Sequence, residues 1–90
     1  MEFEWDKEKA ESNIQRHEVS FHEASTVFGD TLAITFHDPD HSSDETRYIT
    51  FGLSMFNHLM VVSHTERRGR MRIISARLMT KKERKIYEDG

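Results

Sequence analysis

Hydrophobic positions along this chain change period twice, from helical spacing in the first third to alternation through the middle and back to a short helical pattern at the end. Phe3 and Trp5 alternate with Glu2, Glu4 and Asp6, which suits a short extended lead-in ending where Asp6 can cap a helix. That helix spans about Lys7 to Arg16. Its apolar positions are only Ala10 and Ile14, so it needs neighbours such as Trp5 to hold it. Ser20-Phe21-His22-Glu23 has the spacing of a capping box, and Phe21, Ala24, Val27 and Phe28 then recur at helical intervals until Gly29 stops the segment.

Leu32, Ile34 and Phe36 alternate with Ala33, Thr35 and His37 and predict a first strand, and the polar run from Asp38 to Asp44 predicts an exposed loop. Further strands are predicted over Arg47 to Leu53, Leu59 to Thr65 and Arg70 to Arg77. Their connections, around Asn57-His58 and Arg68-Gly69, are short enough for antiparallel hairpins. Thr80-Lys81-Lys82-Glu83 is a second capping box, opening a helix to about Glu88 with Ile86 and Tyr87 available for docking. The sum is one α+β domain over residues 1–90, with N-terminal helices and a C-terminal helix packed on one face of a four-stranded antiparallel meander.

Composition narrows the function classes. No cysteine is present, which excludes disulfides, thiol catalysis and thiolate zinc sites. The opening Met1-Glu2-Phe3-Glu4-Trp5-Asp6 lacks the basic and apolar regions of a secretion signal, and no window is apolar enough to cross a bilayer, so a cytoplasmic protein without membrane contact is expected. The net charge of −3 conceals an asymmetry. Residues 1–65 carry 4 Lys/Arg against 12 Asp/Glu, a balance of −8, and residues 66–90 carry 9 against 4, a balance of +5. The last part can therefore present a positive face while the whole stays soluble.

That basic part alternates arginines with a β-branched strand, His64-Thr65-Glu66-Arg67-Arg68-Gly69-Arg70-Met71-Arg72-Ile73-Ile74-Ser75-Ala76-Arg77, and points to RNA. Cleaving RNA without a metal requires a group to take the 2′-hydroxyl proton, another to protonate the departing 5′-oxygen, and cations to stabilise the charge on phosphorus. His64 is the candidate for proton transfer, since an imidazole titrates close to neutrality, and Glu66, beside it with Arg67, is a further catalytic candidate. A surface histidine with a backbone hydrogen bond is the bland alternative. Arg67 and Arg72 are the candidates for stabilising phosphate, and Arg47, Arg70, Arg77 and Lys81 for holding the RNA. Counting by twos along the last strand places Arg70, Arg72, Ile74 and Ala76 on one face and Met71, Ile73, Ser75 and Arg77 on the other, so Arg72 and Arg77 serve opposite faces unless a bulge intervenes. Trp5, Lys9, Asn13 and His17 recur every four residues along one helix edge, where tying the helix to the sheet is favoured over catalysis. His37, Asp38, Asp40 and His41 have ligand-type side chains in a loop, but nothing fixes their geometry; no metal or other cofactor is expected. Glu83 and Tyr87 could reach the groove, although Tyr87 also suits a core position.

Phe3-Glu4-Trp5-Asp6, Lys9, Asn13, Arg16-His17, Val19-Ser20-Phe21, Glu23-Ala24, Val27-Phe28, Arg47-Tyr48-Ile49-Thr50-Phe51-Gly52, His64-Thr65-Glu66-Arg67, Arg72 to Arg77 and Glu83 to Tyr87 together resemble the BrnT family of toxins over nearly the full length. Glu18 departs from the glycine expected after the histidine. The resemblance implies a RelE-like fold and a growth-arresting endoribonuclease of a type II toxin–antitoxin system. It also implies a BrnA-like antitoxin partner with a ribbon-helix-helix region, through which the complex would contact operator DNA. A non-catalytic basic module for nucleic acid or an acidic partner is the competing reading.

Overall fold

The two ends of the chain meet in one sheet. In the computed structural model, which describes residues 1–41 and 44–90, the elements run β1 (Phe3–Trp5), α1 (Lys7–His17), α2 (Phe21–Thr26) with a 3-10 turn at Val27–Gly29, β2 (Ile34–His37), a 3-10 turn at Pro39–His41, β3 (Arg47–Leu53), β4 (Leu59–Arg67), β5 (Arg70–Leu78) and α3 (Lys81–Asp89). The α+β class and the antiparallel succession β2 to β5 follow the sequence pattern. The strand count does not. The extended lead-in pairs in parallel with β5, Phe3 opposite Met71 and Trp5 opposite Ile73, so the sheet is five-stranded and mixed in the order β1-β5-β4-β3-β2. A three-residue strand with no local partner carries no turn signal to announce its pairing. Within the loop predicted from Asp38 to Asp44, the turn at Pro39–His41 is ordered, and residues 42 and 43 lie outside the described residues.

Both N-terminal caps form, the Asp6 carboxylate accepting from Lys9 N at 3.0 Å and Ser20 Oγ from Glu23 N at 3.0 Å, but the capping box expected at Ser20–Glu23 is only half made, because the Glu23 carboxylate turns to Ser54 Oγ and His58 Nδ1, both at 2.6 Å. Thr80 and Glu83 complete the reciprocal capping box of α3. Glu18 closes α1 in the left-handed region, φ 57°, with its N–H donated to the Ile14 carbonyl. Its backbone therefore takes the conformation for which a glycine is best suited.

Helices cover both faces of the sheet, not one. On the first face, Val19, Phe21, Ala24 and Val27 pack on Met60, Val62, Ile73 and Ala76. On the second, Phe51, Val61 and Met79 form a smaller cluster with Ile49, Leu59 and Tyr87 of α3, and among the described residues no other α-helix packs on this, the open face. Tyr87 donates to the Asp30 carboxylate at 2.6 Å, which also accepts from Leu53 N, and this fixes α3 against β3. Burial alone would raise Asp30, but the hydrogen bonds from Tyr87, Leu32 and Leu53 hold its carboxyl below the ordinary value. Tyr87 is pushed up to about 12 by the same bond. Gly52 allows the close packing on the first face, because a Cβ there would stand 2.5 Å from Val27 Cγ1.

Two devices shape β5. Where β1 ends, Asn13 takes its place: its amide donates to the Ala76 carbonyl at 2.8 Å and its oxygen accepts from Ala76 N at 3.1 Å, as a neighbouring strand would. The same amide donates to the Val19 carbonyl, so one buried side chain ties α1 to the sheet and to the entry of α2. The second device is a bulge. Ser63 is opposite Ser75 but His64 is opposite Ile73, which leaves Ile74 as an extra residue and reverses the alternation of β5 beyond it.

Candidate functional site on the open sheet face

The bulge corrects the expected split of the arginines. Arg72 is opposite Thr65 and Arg77 opposite Val61, and both therefore stand on the open face together with Arg47, Arg67 and Arg70. Each is held by a carboxylate. Arg77 binds Glu83 through both terminal nitrogens at 2.7 and 2.8 Å, Arg72 meets Glu4 at 2.7 Å, and Arg70 meets Glu2 at 3.1 Å. Arg67 donates to Glu45 at 3.0 Å, with the Arg47 Nε 3.6 Å from the same carboxylate. The Arg77 fork pulls Glu83 down to about 2, and Arg67, with a smaller contribution from Arg47, holds Glu45 below the ordinary range. The alternation of Glu2 and Glu4 with Phe3 and Trp5 supplies two of these partners: the aromatic side of β1 joins the first core and its acidic side faces the arginines. Lys81 stands apart, exposed at the start of α3.

His64 is not on this surface. It faces the first core with Met60 and Val62, 4% exposed, its ring stacked on Tyr48 at 5.8 Å and edge-on to Phe28 at 4.9 Å. Its Nε2 lies 2.7 Å from Thr50 Oγ1, which in turn lies 2.7 Å from Thr35 Oγ1. Burial pushes the imidazole down to about 4, so it is neutral near pH 7. Glu66, two residues on, shares this face and lines an apolar cavity of about 420 Å³ with His64, Tyr48 and Phe28. The four residues proposed from sequence for catalysis are thus divided, His64 and Glu66 on one side of the sheet, Arg67 and Arg72 on the other. A separation of three along a strand puts His64 and Arg67 on opposite faces, and that spacing is the signal that could have divided them in advance.

A different histidine reaches the arginines. Asp38, His41, Arg47, Ser63, Ser75 and Arg77 line an open-face cavity of about 320 Å³, with Ile49 and Ile74 in its wall. His41 Nδ1 is 2.9 Å from Asp38 Oδ2 and its side chain is exposed, so the carboxylate orients the ring through Nδ1 and leaves Nε2 outside that bond. The sequence offers both residues only as weak metal ligands. Among the described residues no three histidine or acidic side chains converge to hold a metal ion. The cavity instead combines an oriented imidazole, two guanidiniums and two hydroxyls, a set able to move a proton beside a bound phosphate. His17 lies elsewhere, in a cleft of about 430 Å³ between α1 and β5. Glu83 reaches the groove through Arg77, and Tyr87 is committed to Asp30.

Comparisons with known proteins bear on the family and the fold. The family model described as the ribonuclease toxin, BrnT, of type II toxin–antitoxin systems matches residues 5–83. The 1.1 Å crystal structure of the Brucella abortus ribonuclease toxin, BrnT, is similar in fold, with a TM-score of 0.70 and 20% identity over 90% of this chain and 99% of that one. No curated protein sequence matches.

Proposed function

The chain belongs to the BrnT family of ribonuclease toxins of type II toxin–antitoxin systems, and from that membership we propose that it cleaves RNA without a metal ion in the open-face cavity that holds His41, Asp38, Arg47 and Arg77. His41 takes the proton of a ribose 2′-hydroxyl while Asp38 fixes the ring. The hydroxyl oxygen attacks the adjacent phosphorus, a 2′,3′-cyclic phosphate forms, and the 5′-oxygen leaves with a proton from water in the groove. Arg47 and Arg77 stabilise the charge that builds on the phosphoryl oxygens. Arg67, Arg70 and Arg72 extend the cationic surface for the strand on either side, held in place by Glu45, Glu2 and Glu4. The observation that carries this reading is the His41–Asp38 pair in one cavity with two arginines.

The antitoxin in this reading is BrnA-like. A segment of it occupies the phosphate positions of the groove, and its ribbon-helix-helix region supplies the contacts to operator DNA. Both events belong to the cytoplasm. Purified protein tests the enzymatic part: in EDTA it cleaves single-stranded RNA, and His41→Ala slows cleavage on the order of 100-fold, the lower end of what a general base contributes. Cleavage that survives His41→Ala undiminished refutes this assignment, and RNA binding with no cleavage by the unaltered protein supports a non-catalytic module instead.

A further inference from the structure

The cations of α1 are placed differently from those of the sheet. Lys9, Ser12 and Arg16 follow at intervals of three and four around Asn13, so they share one edge of the helix with His17. Because Asn13 is buried against Ala76, that edge is held against the bulged end of β5. The resulting cleft of about 430 Å³ is lined by Lys9, Ser12, Arg16, His17, Ser75 and Arg77, and no carboxylate contributes to its wall. Among the described residues, Lys9, Arg16 and His17 make no side-chain hydrogen bond or ion pair, whereas each open-face arginine has a carboxylate. Three cationic or ionisable donors lining a polar cleft without a carboxylate in its wall form a site for an anion.

We infer that this cleft is a second phosphate subsite, which holds a flanking phosphodiester of the same single-stranded RNA that is cut on the open face. Ser75 and Arg77 border both cavities, because the extra residue Ile74 turns β5 at the point where the sheet face meets its edge. A strand crossing this saddle passes from one set of donors to the other without meeting an acidic group in the cleft. The inference rests on the ribonuclease reading, since it takes the ligand to be the substrate.

Binding of a fully 2′-O-methylated single-stranded RNA, which cannot be cut, tests the subsite apart from catalysis. Fluorescence anisotropy against salt concentration is expected to show Lys9→Gln/Arg16→Gln binding on the order of tenfold more weakly, with the slope of log K against log salt reduced by about 0.7, the loss of one single-strand phosphate contact. Ser12→Glu, which puts a carboxylate into the cleft, is expected to weaken binding similarly. Lys7→Gln/Lys85→Gln removes the same charge outside the cleft and keeps the slope. All four lysine and arginine positions are exposed, and circular dichroism checks that each variant is folded. Unchanged affinity and slope in the double variant overturn the subsite while leaving the open-face reading intact, including the case in which only antitoxin affinity falls. Failure of the unaltered protein to bind this RNA overturns both.

Discussion

The two faces of the sheet each carry a histidine, and the contrast between them separates structure from chemistry. On the helical face His64 is enclosed by Tyr48 and Phe28 and bonded to Thr50; on the open face His41 is exposed and bonded to Asp38 beside two arginines. Burial makes the first ring a neutral core component. A carboxylate partner and access to solvent make the second able to exchange protons with a ligand. The same rule holds for charge. Each arginine of the open face meets a carboxylate, which orients it.

Truncating each ring breaks this contrast most directly. His64→Ala leaves a void among packed aromatic rings and removes one of the two partners of the Thr50 hydroxyl, so it is expected to cost about 2–4 kcal/mol of unfolding free energy. His41→Ala is expected to leave stability within about 0.5 kcal/mol of the parent, as surface changes do. Urea denaturation of the two variants reads this directly. Equal stability losses would erase the distinction between the faces, and a stable His64→Ala protein would remove the structural account of that ring.

Acid unfolding sharpens the comparison, because the two faces titrate in adjoining windows. The His64 imidazole has its ordinary value, 6.5, in the unfolded chain and about 4 in the folded one. Below pH 6.5 the unfolded chain gains a proton that the folded chain refuses, and stability falls down to pH 4 by at most about 1.4 kcal/mol per pH unit. The Glu83 carboxyl moves the other window. It is lowered from 4.5 to about 2 by Arg77, so its contribution is complete above pH 4.5 and disappears as pH falls toward 2. Asp30 and Glu45, also held below their ordinary values, add to that lower window. Urea midpoints measured across pH should respond accordingly, His64→Asn flattening the upper window and Glu83→Gln the lower. A midpoint that does not change in the unaltered protein between pH 6.5 and 4.5 contradicts the buried neutral ring.

Local signals carried the helices and four of the strands. Asp6, Ser20 and Thr80 cap where their spacing says they should, and Arg47–Leu53 forms with the expected bounds, because these features depend on neighbours in sequence. The site was less legible for three physical reasons. Leu59, Met60, Val61 and Val62 are apolar on both faces of β4, which hides which side His64 shares with the core. The extra residue Ile74 makes a count of two fail across β5, and a bulge depends on the pairing partner as much as on its own residues. His41 shares a cavity with Arg47 and Arg77 only after β2, β3, β4 and β5 have assembled, so proximity along the chain pointed to an imidazole that the sheet separates from those arginines.

The smallest effect tests whether stability and chemistry can be moved independently. Glu18 holds a left-handed backbone, φ 57°, at the end of α1, where a residue with a Cβ is disfavoured by about 1–2 kcal/mol. Glycine removes that penalty but gives the unfolded chain more freedom, which returns about 0.4–1 kcal/mol. Glu18→Gly is therefore expected to stabilise the protein by about 0.5–1 kcal/mol, read as a raised urea midpoint, with the rate of RNA cleavage unchanged because Glu18 lines neither the open-face cavity nor the α1–β5 cleft. A change in cleavage rate without a change in stability would mean that the end of α1 governs the groove through its position, and the separation between a structural and a chemical face would no longer hold there.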